Sequence, residues 1–299
     1  MNFFVAPSGM EPRVRSVLLT CVLLLILGIA LNIVTVRWLE TGLGWTPSVV
    51  NGRIAADAPV DQVWQVRLIA ALNQILVFLV PGALTVLLFR YAQPRMYAGV
   101  SFRRLPTLSA LGVGIAILMA AIPFVLYSYQ VNQMLPMPES MRLVAEQAEI
   151  TIKAILQMPT LPDFVANLLL IAVLPALGEE LVFRGVLQQQ LMRRMSPWAA
   201  IILTGAAFSF FHFQMDGFLP RWLLGIILGW AFWRSGRFWV PVLMHFFYNG
   251  IQVIAHYVGG ADSRLAQLDQ DLDISIWAAL FSVILSVSLA RFATKNELI

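Results

Sequence analysis

Apolar residues run through the chain in long stretches, and most polar residues are confined to the short segments between them. About 17 to 25 apolar residues suffice to cross a hydrocarbon core of about 30 Å. By that measure the pattern predicts eight helical spans, near residues 16–36, 68–89, 107–129, 163–192, 198–213, 219–234, 238–257 and 274–291. Arg13 and Arg15 precede the first as they would a secretory leader, but its apolar core is too long and lacks a small-residue cleavage pattern, so it reads as a mature span. Residues 41–65, with Gly42, Gly44, Pro47, Gly52 and Pro59, read as an irregular loop. Residues 140–157 set Glu146, Glu149 and Lys153 among apolar positions at helical spacing, which predicts an amphipathic helix on the outer surface or an ordinary loop helix. No repeat, low-complexity tract or second domain is visible, so residues 1–299 read as a single integral membrane domain.

Composition turns this pattern into a fold class. With 59% hydrophobic and only 12% charged residues, a soluble domain of 299 residues could not cover its apolar surface, so the bilayer must be the solvent. The expected class is all-α, a polytopic protein of eight transmembrane helices with a polar intramembrane site. Trp198, Trp222 and Trp239 lie near predicted span ends, where aromatic rings meet the headgroups. The single cysteine, Cys21, rules out an intrachain disulfide and a cysteine-based zinc site and reads as packing.

The formal charge of +4 comes from basic residues scattered over short connections, with no contiguous basic face, so nucleic acid is not an expected partner. Those connections alternate in sign. Arg13, Arg15, Arg90, Arg95, Arg103, Arg104, Arg193, Arg194, Arg234, Arg237, Arg291 and Lys295 fall on one side of the predicted spans. Glu40, Asp57, Asp61, Glu139, Glu146, Glu149, Asp216, Asp262, Asp269, Asp271 and Asp273 fall on the other. The bias in Lys and Arg places both termini in the cytoplasm, in what is expected to be a bacterial cytoplasmic membrane.

Against this background, charges inside a span stand out. The fourth span reads Leu174, Pro175, Ala176, Leu177, Gly178, Glu179, Glu180, Leu181, Val182, Phe183, Arg184. Ionisable groups in hydrocarbon cost several kcal/mol unless paired or hydrated, and so mark functional positions. Pro175 removes a backbone donor, and Gly178 lets a neighbouring backbone come close. Glu180 and Arg184, at i and i+4, share a face and can pair, whereas Glu179 points about 100° away and is left for chemistry. A purely structural ion-pair network is the competing reading.

Two of the three histidines also fall inside spans. His212 shares a helix face with Phe208, and His245 with Asn249, each at i and i+4; His256 lies near the outer boundary and reads as unremarkable. Taken singly, a histidine on an apolar face is more often a packed, hydrogen-bonded residue than a catalyst. Glu179 precedes the turn near Met195 and Ser196 by as many residues as His212 follows it, so in an antiparallel hairpin both lie about 20 Å from that turn. By the same rise His245 is only about 12 Å deep and Asn249 about 18 Å. The mismatch, about two helical turns, is one that tilt or a shifted boundary removes.

Glu179–Glu180 with Arg184, Phe208 with His212, and His245 with Asn249, in this order on separate spans, resemble the signature of the CAAX protease and bacteriocin-processing enzyme family. The resemblance covers residues 163–255. It implies an eight-helix, glutamate-dependent intramembrane endopeptidase acting on a membrane-associated or lipidated peptide or protein, with no metal or other cofactor. It also implies that Glu179 and His212 activate a water, that His245 and Asn249 stabilise the oxyanion, and that Glu180, Arg184 and Phe208 support them. Prenylated substrates belong to the eukaryotic branch and are not carried over.

Three other readings stay open on the residues themselves. Two histidines and a carboxylate are a known zinc set, although no His-Glu-x-x-His helix is present. Glu179 as the proton carrier of a transporter would call for paired broken helices, which are not seen. A non-enzymatic interaction or regulatory protein would use the polar layer only to join helices. Gly225 and Gly229, four apart, are expected to serve close packing within the chain rather than dimerisation.

Overall fold

The computed structural model describes residues 14–45, 54–55, 57–92, 102, 105–260 and 273–299, and among them the regular elements are helical. Helix α1 is Val14–Leu43. Helix α2 runs through Val60–Asn73, a π-helical stretch Gln74–Leu79 and Val80–Ala92. Helices α3 and α4 are Leu108–Gln133 and Glu139–Ile155. Helix α5 is built from Leu161–Asn167, Leu174–Glu180 and Gln189–Met192, joined by π-helical stretches Leu168–Val173 and Leu181–Gln188. Helices α6, α7, α8 and α9 are Pro197–Phe210, Phe218–Ser235, Trp239–Gly259 and Ile276–Lys295.

Five of these, Val14–Leu43, Val60–Phe89, Leu108–Gln133, Leu161–Met192 and Ile276–Lys295, are long and apolar enough to cross a membrane. Helix α6 is apolar but shorter, at 14 residues. The outer helices turn apolar side chains outward, as Leu23, Ile26 and Val34 do on α1 and Trp277, Phe281 and Ile284 on α9. That is the inverse of a soluble protein and suits a lipid solvent.

Several boundaries differ from the sequence reading. The segment 41–65 is helical at both ends, because α1 continues to Leu43 and α2 begins at Val60, with Pro59 directly before the first turn, where its missing N–H is not needed. Residues 46–53 and 56 of that segment lie outside the described residues, as do Arg13, Arg95, Arg103, Arg104, Asp262, Asp269 and Asp271 of the charge pattern. Helix α6 ends at Phe210 rather than at residue 213. The chain then tightens into i to i+3 hydrogen bonds, from His212 N–H to Ser209 O and from Phe213 N–H to Phe210 O, and Phe213 takes a left-handed φ of 53°. Four starts follow Ser/Thr capping, with Thr107, Thr160, Ser196 and Ser275 accepting from the amides of Ala110, Asp163, Ala199 and Ala278.

Helix α5 is the hub, packed against α2, α6, α7 and α8. Its approach to α2 depends on Gly178. A Cβ there would sit 3.0 Å from Leu79 N and 3.1 Å from Phe78 Cβ, so only glycine lets the residue before Glu179 touch the π-helical stretch of α2. Helices α6 and α7 meet through Gly205 and Gly225, where a Cβ on Gly225 would fall 2.8 Å from Gly205 Cα. Gly225 therefore packs within the chain, as does Gly229, which lies against Gln188 and Ile201.

A second buried polar cluster lies where α2, α4 and α5 meet. The Arg67 guanidinium donates through Nε to Asn167 Oδ1 at 3.0 Å, through Nη2 to the carbonyls of Ile155 at 3.0 Å and Gln157 at 2.8 Å, and through Nη1 to Asp163. Asp163 also closes the capping box with Thr160 that starts α5, and Asn167 donates to Ile155 O at 2.6 Å. Arg67 is 3% exposed, so this network staples the start of α5 to its neighbours.

Candidate functional site

Helix α5 carries Glu179 and Glu180 in the short α-helical piece between its two π-helical stretches, a type of local irregularity that recurs at functional sites. The two carboxylates have different surroundings. Glu180 Oε1 accepts from Arg184 Nη1 at 2.7 Å and from His245 Nδ1 at 3.0 Å, and both acid and guanidinium are fully buried. Arg184 is in turn anchored by donating through Nη2 to Gly225 O at 2.9 Å and by lying 5.1 Å from the centre of the Phe208 ring. One turn on, Gln188 donates to Gly229 O at 2.8 Å. The two α7 glycines thus leave their carbonyls open to side chains of α5.

Glu179 is 5% exposed and has one weak partner, Gln74 of α2, whose Nε2 donates to Glu179 Oε1 at 3.3 Å. Among the described residues its Oε2 is buried without a partner, and so are Gln74 Oε1 and Glu180 Oε2. Gln74 opens the π-helical stretch that Gly178 lets approach, so the same close contact sets both residues. A lone glutamine in an apolar run carries no motif; its polarity within a long apolar helix was the one available signal.

His212 is not on α6 but in the turn after it. It still stays beside Phe208, with ring centres 5.0 Å apart and its Nδ1 2.8 Å from Phe208 O. A carbonyl can only accept, so Nδ1 carries the proton, and in the neutral ring Nε2 keeps its lone pair. His212 lies within electrostatic reach of both Glu179 and His245. The turn is held from outside: Asn132 at the end of α3 donates to Met215 O and accepts from Leu219 N–H, each at 2.8 Å, and Ser209 donates to Phe218 O at 2.7 Å.

His245, on α8, is 2% exposed and joined to Glu180, so the depth mismatch expected from residue counting is absent. Phe208 bridges the two imidazoles, its ring 5.8 Å from that of His245. With Nδ1–H given to a carboxylate, the Nε2 of His245 is a donor only when the ring is an imidazolium. Asn249 turns elsewhere and donates through Nδ2 to Ile171 O at 2.9 Å. Ile171 precedes Pro175 by four residues, and the proline has no N–H to offer that carbonyl, so Asn249 supplies the missing donor across the helix interface. One hydrogen of its amide remains uncommitted. Among the described residues His256 bonds within its own helix, its Nδ1 lying 2.9 Å from Gln252 O. Among the described residues, no three His, Cys, Asp or Glu side chains are grouped so as to hold a metal ion.

The fold and site define a helical protein with helices long and apolar enough to span a membrane and a buried cluster of two glutamates, an arginine and a histidine, with a second, half-buried histidine beside it. Residues 161–251, which carry that cluster, match the family described as "Type II CAAX prenyl endopeptidase Rce1-like", a family of proteases, in agreement with the resemblance of the three motifs. The chain is also 33% identical over 91 residues to a protein of Escherichia coli described as "Uncharacterized 24.3 kDa protein", a stretch covering 29% of this chain and 42% of that one. The match thus spans less than half of the relative. No solved structure matches the chain.

Proposed function

We propose that the protein is an intramembrane endopeptidase that hydrolyses a peptide bond in a membrane-associated or lipidated peptide or protein, using a water activated by Glu179 and His212. The observation that carries this reading is the contrast between adjacent acids: Glu180 Oε1 is committed to the cation Arg184 and to His245, while among the described residues Glu179 has no cationic partner and is held only by the 3.3 Å bond from Gln74, its Oε2 being buried and, like Glu180 Oε2, without a hydrogen bond. Such an oxygen is costly unless it serves a water or a substrate. The water donates one hydrogen to Glu179 Oε2 and the other to His212 Nε2, which directs its lone pair at the scissile carbonyl. Glu179 takes the proton as the C–O bond forms and returns it to the leaving amine.

Charge then develops on the carbonyl oxygen. His245 acts here as an imidazolium already formed before the substrate enters, giving Nδ1–H to Glu180 and Nε2–H to that oxygen, so no proton is drawn from the reacting water, and the free amide hydrogen of Asn249 is the second donor. Each such donor is typically worth about 3 kcal/mol in the transition state. Helix α6 supplies the depth: its 14 residues span about 21 Å, less than a hydrocarbon core of about 30 Å, so His212, just beyond its last residue, lies short of the outer boundary and residues 213–217 complete the crossing. In this reading α1, α2, α3, α5, α6, α7, α8 and α9 are the eight crossings, and both termini lie on the cytoplasmic side.

The test compares membrane peptidomes of cells carrying wild-type or Glu179→Gln protein, followed by turnover of the accumulated precursor by each purified form. The substitution keeps the shape and removes the base, so a precursor should build up and purified turnover should fall at least a thousandfold, about 4 kcal/mol of barrier. Turnover by Glu179→Gln at the wild-type rate would remove Glu179 from the chemistry. A parallel assay in strong chelator separates the zinc reading, which requires activity and stoichiometric metal to be lost together.

A further inference from the structure

Away from the polar cluster, α9 packs against α3 and leaves a gap toward α6 and α7. The gap is a cavity of about 660 Å³, within the range of pockets that bind small organic ligands. Its inner wall is apolar, with Ile117 from α3, Ile226 from α7 and Val287 from α9. Its mouth is basic, with Arg234 at the end of α7 and Arg291 and Lys295 at the end of α9. No acidic residue lines it, and among the described residues none of these three cations has an ion-pair partner.

Two further details point to a ligand of mixed character. Arg234 is held above the Trp233 ring, 5.6 Å from its centre, and Trp233 packs edge-on to Trp198 at 6.0 Å, which builds an aromatic rim beside the cations. Arg234 Nε and Ser286 Oγ are buried and have no hydrogen-bond partner among the described residues. Ser286 lies five residues before Arg291, about 7.5 Å deeper along α9. The sequence of groups from the mouth inward is therefore cation, aromatic ring, isolated hydroxyl, hydrocarbon. A glycerophospholipid presents phosphate, glycerol, ester and acyl chain in that order.

We propose that this cavity is a binding site for one anionic phospholipid of the leaflet facing the basic connections. Arg234, Arg291 and Lys295 hold its phosphate, Ser286 reaches its ester region, and an acyl chain lies along Ile117, Ile226 and Val287. A basic pocket between helices on that side of a membrane suits an anionic headgroup, each cation contributing about fivefold in affinity. The site is separate from Glu179 and its partners, and the proposal stands whether or not the protein is a peptidase.

The test is native mass spectrometry of the detergent-purified, delipidated protein titrated with phosphatidylglycerol or with phosphatidylcholine of the same chains. Wild type should retain one phosphatidylglycerol per chain and prefer it clearly over phosphatidylcholine. Replacing Arg234, Arg291 and Lys295 together by Gln should weaken phosphatidylglycerol about a hundredfold and abolish the preference. Arg291→Gln with Lys295→Gln alone, on an exposed helix face, should cost about twenty-fivefold and serves if the triple variant does not fold. Val287→Trp, which fills the groove and keeps every charge, should also release the lipid. Equal retention of both lipids by wild type, or unchanged phosphatidylglycerol binding in the charge variants, would overturn the proposal. Displacement of the lipid by inorganic phosphate, with Val287→Trp without effect, would also overturn it, by making the site one for a free anion.

Discussion

Glu179 and Glu180 are joined by one peptide bond, yet a helix turns them about 100° apart and so into different surroundings. Glu180 faces the cation Arg184 and His245, and Glu179 faces Gln74, a neutral and weaker partner. Opposite consequences of substitution follow. Arg184→Gln strands a buried carboxylate with His245 as its remaining partner and is expected to cost about 3 to 5 kcal/mol, which thermal unfolding in detergent will register as a lowered midpoint. Glu179→Gln removes no strong contact and should leave that midpoint nearly unchanged. A Glu179→Gln protein that unfolds as readily as Arg184→Gln would mean that Glu179 is part of the structural network. Gln74→Leu tests the residue that no motif marks. Loss of a hydrogen bond this long is worth about 0.5 to 1.5 kcal/mol, so turnover of a membrane peptide should fall roughly 2- to 10-fold in a protein that still folds. Unaltered turnover would show that Gln74 only packs beside the acid.

The elements explain why those side chains meet. Pro175 and the π-helical stretches break the regular bonding of α5, and side chains repair it: Asn249 donates to Ile171 O, and Gln189 donates to Gly185 O at 2.9 Å. The helix is irregular where its backbone has partners, which is the condition for irregular backbone at membrane depth. Gly178→Ala should therefore act beyond its size. Its methyl group would press on the backbone of Leu79, at an expected cost of about 1 to 3 kcal/mol, and would push Gln74 away from Glu179. Unfolding and turnover measured on one preparation should both decline. Arg67→Met acts at the other end of α5: it leaves Asp163 buried and unpaired, and a loss of about 3 to 5 kcal/mol is expected by the same thermal assay. Of these features, the pairing of Glu180 with Arg184 and the need for a small residue at Gly178 could be read from local spacing. The Arg67 cluster could not, because its partners come from positions about a hundred residues away in the chain.

For the whole molecule, chain ends far apart in sequence share one layer. Asn132 bonds near Met215 and Leu219, and Arg67 near Gln157 and Asp163, while Trp198, Arg234 and Lys295 line a single cavity at the basic end. The alternation of charge between successive connections in the sequence predicts a definite orientation. With Cys21 replaced by Ser, a cysteine introduced at Glu149 should react with an impermeant maleimide in intact cells, and one at Lys295 only after permeabilisation. The reverse pattern would invert the proposed topology, and labelling of both in intact cells would contradict the eight crossings.

Much of this protein could be read from the linear chain. Composition and run length required a membrane solvent, since burial of apolar groups depends on how many there are and how they are spaced. The cost of charge in hydrocarbon marked Glu179, Glu180, Arg184, His212 and His245, and one helical turn was enough to pair the second acid with the arginine. The contacts between helices needed the folded protein. His245 meeting Glu180, Asn249 meeting Ile171 and Gln74 meeting Glu179 depend on the rotation, tilt and separation of α2, α5 and α8, which close packing at glycines and the π-helical stretches decide. Local periodicity specifies the face on which a residue stands, and only packing specifies what that face meets.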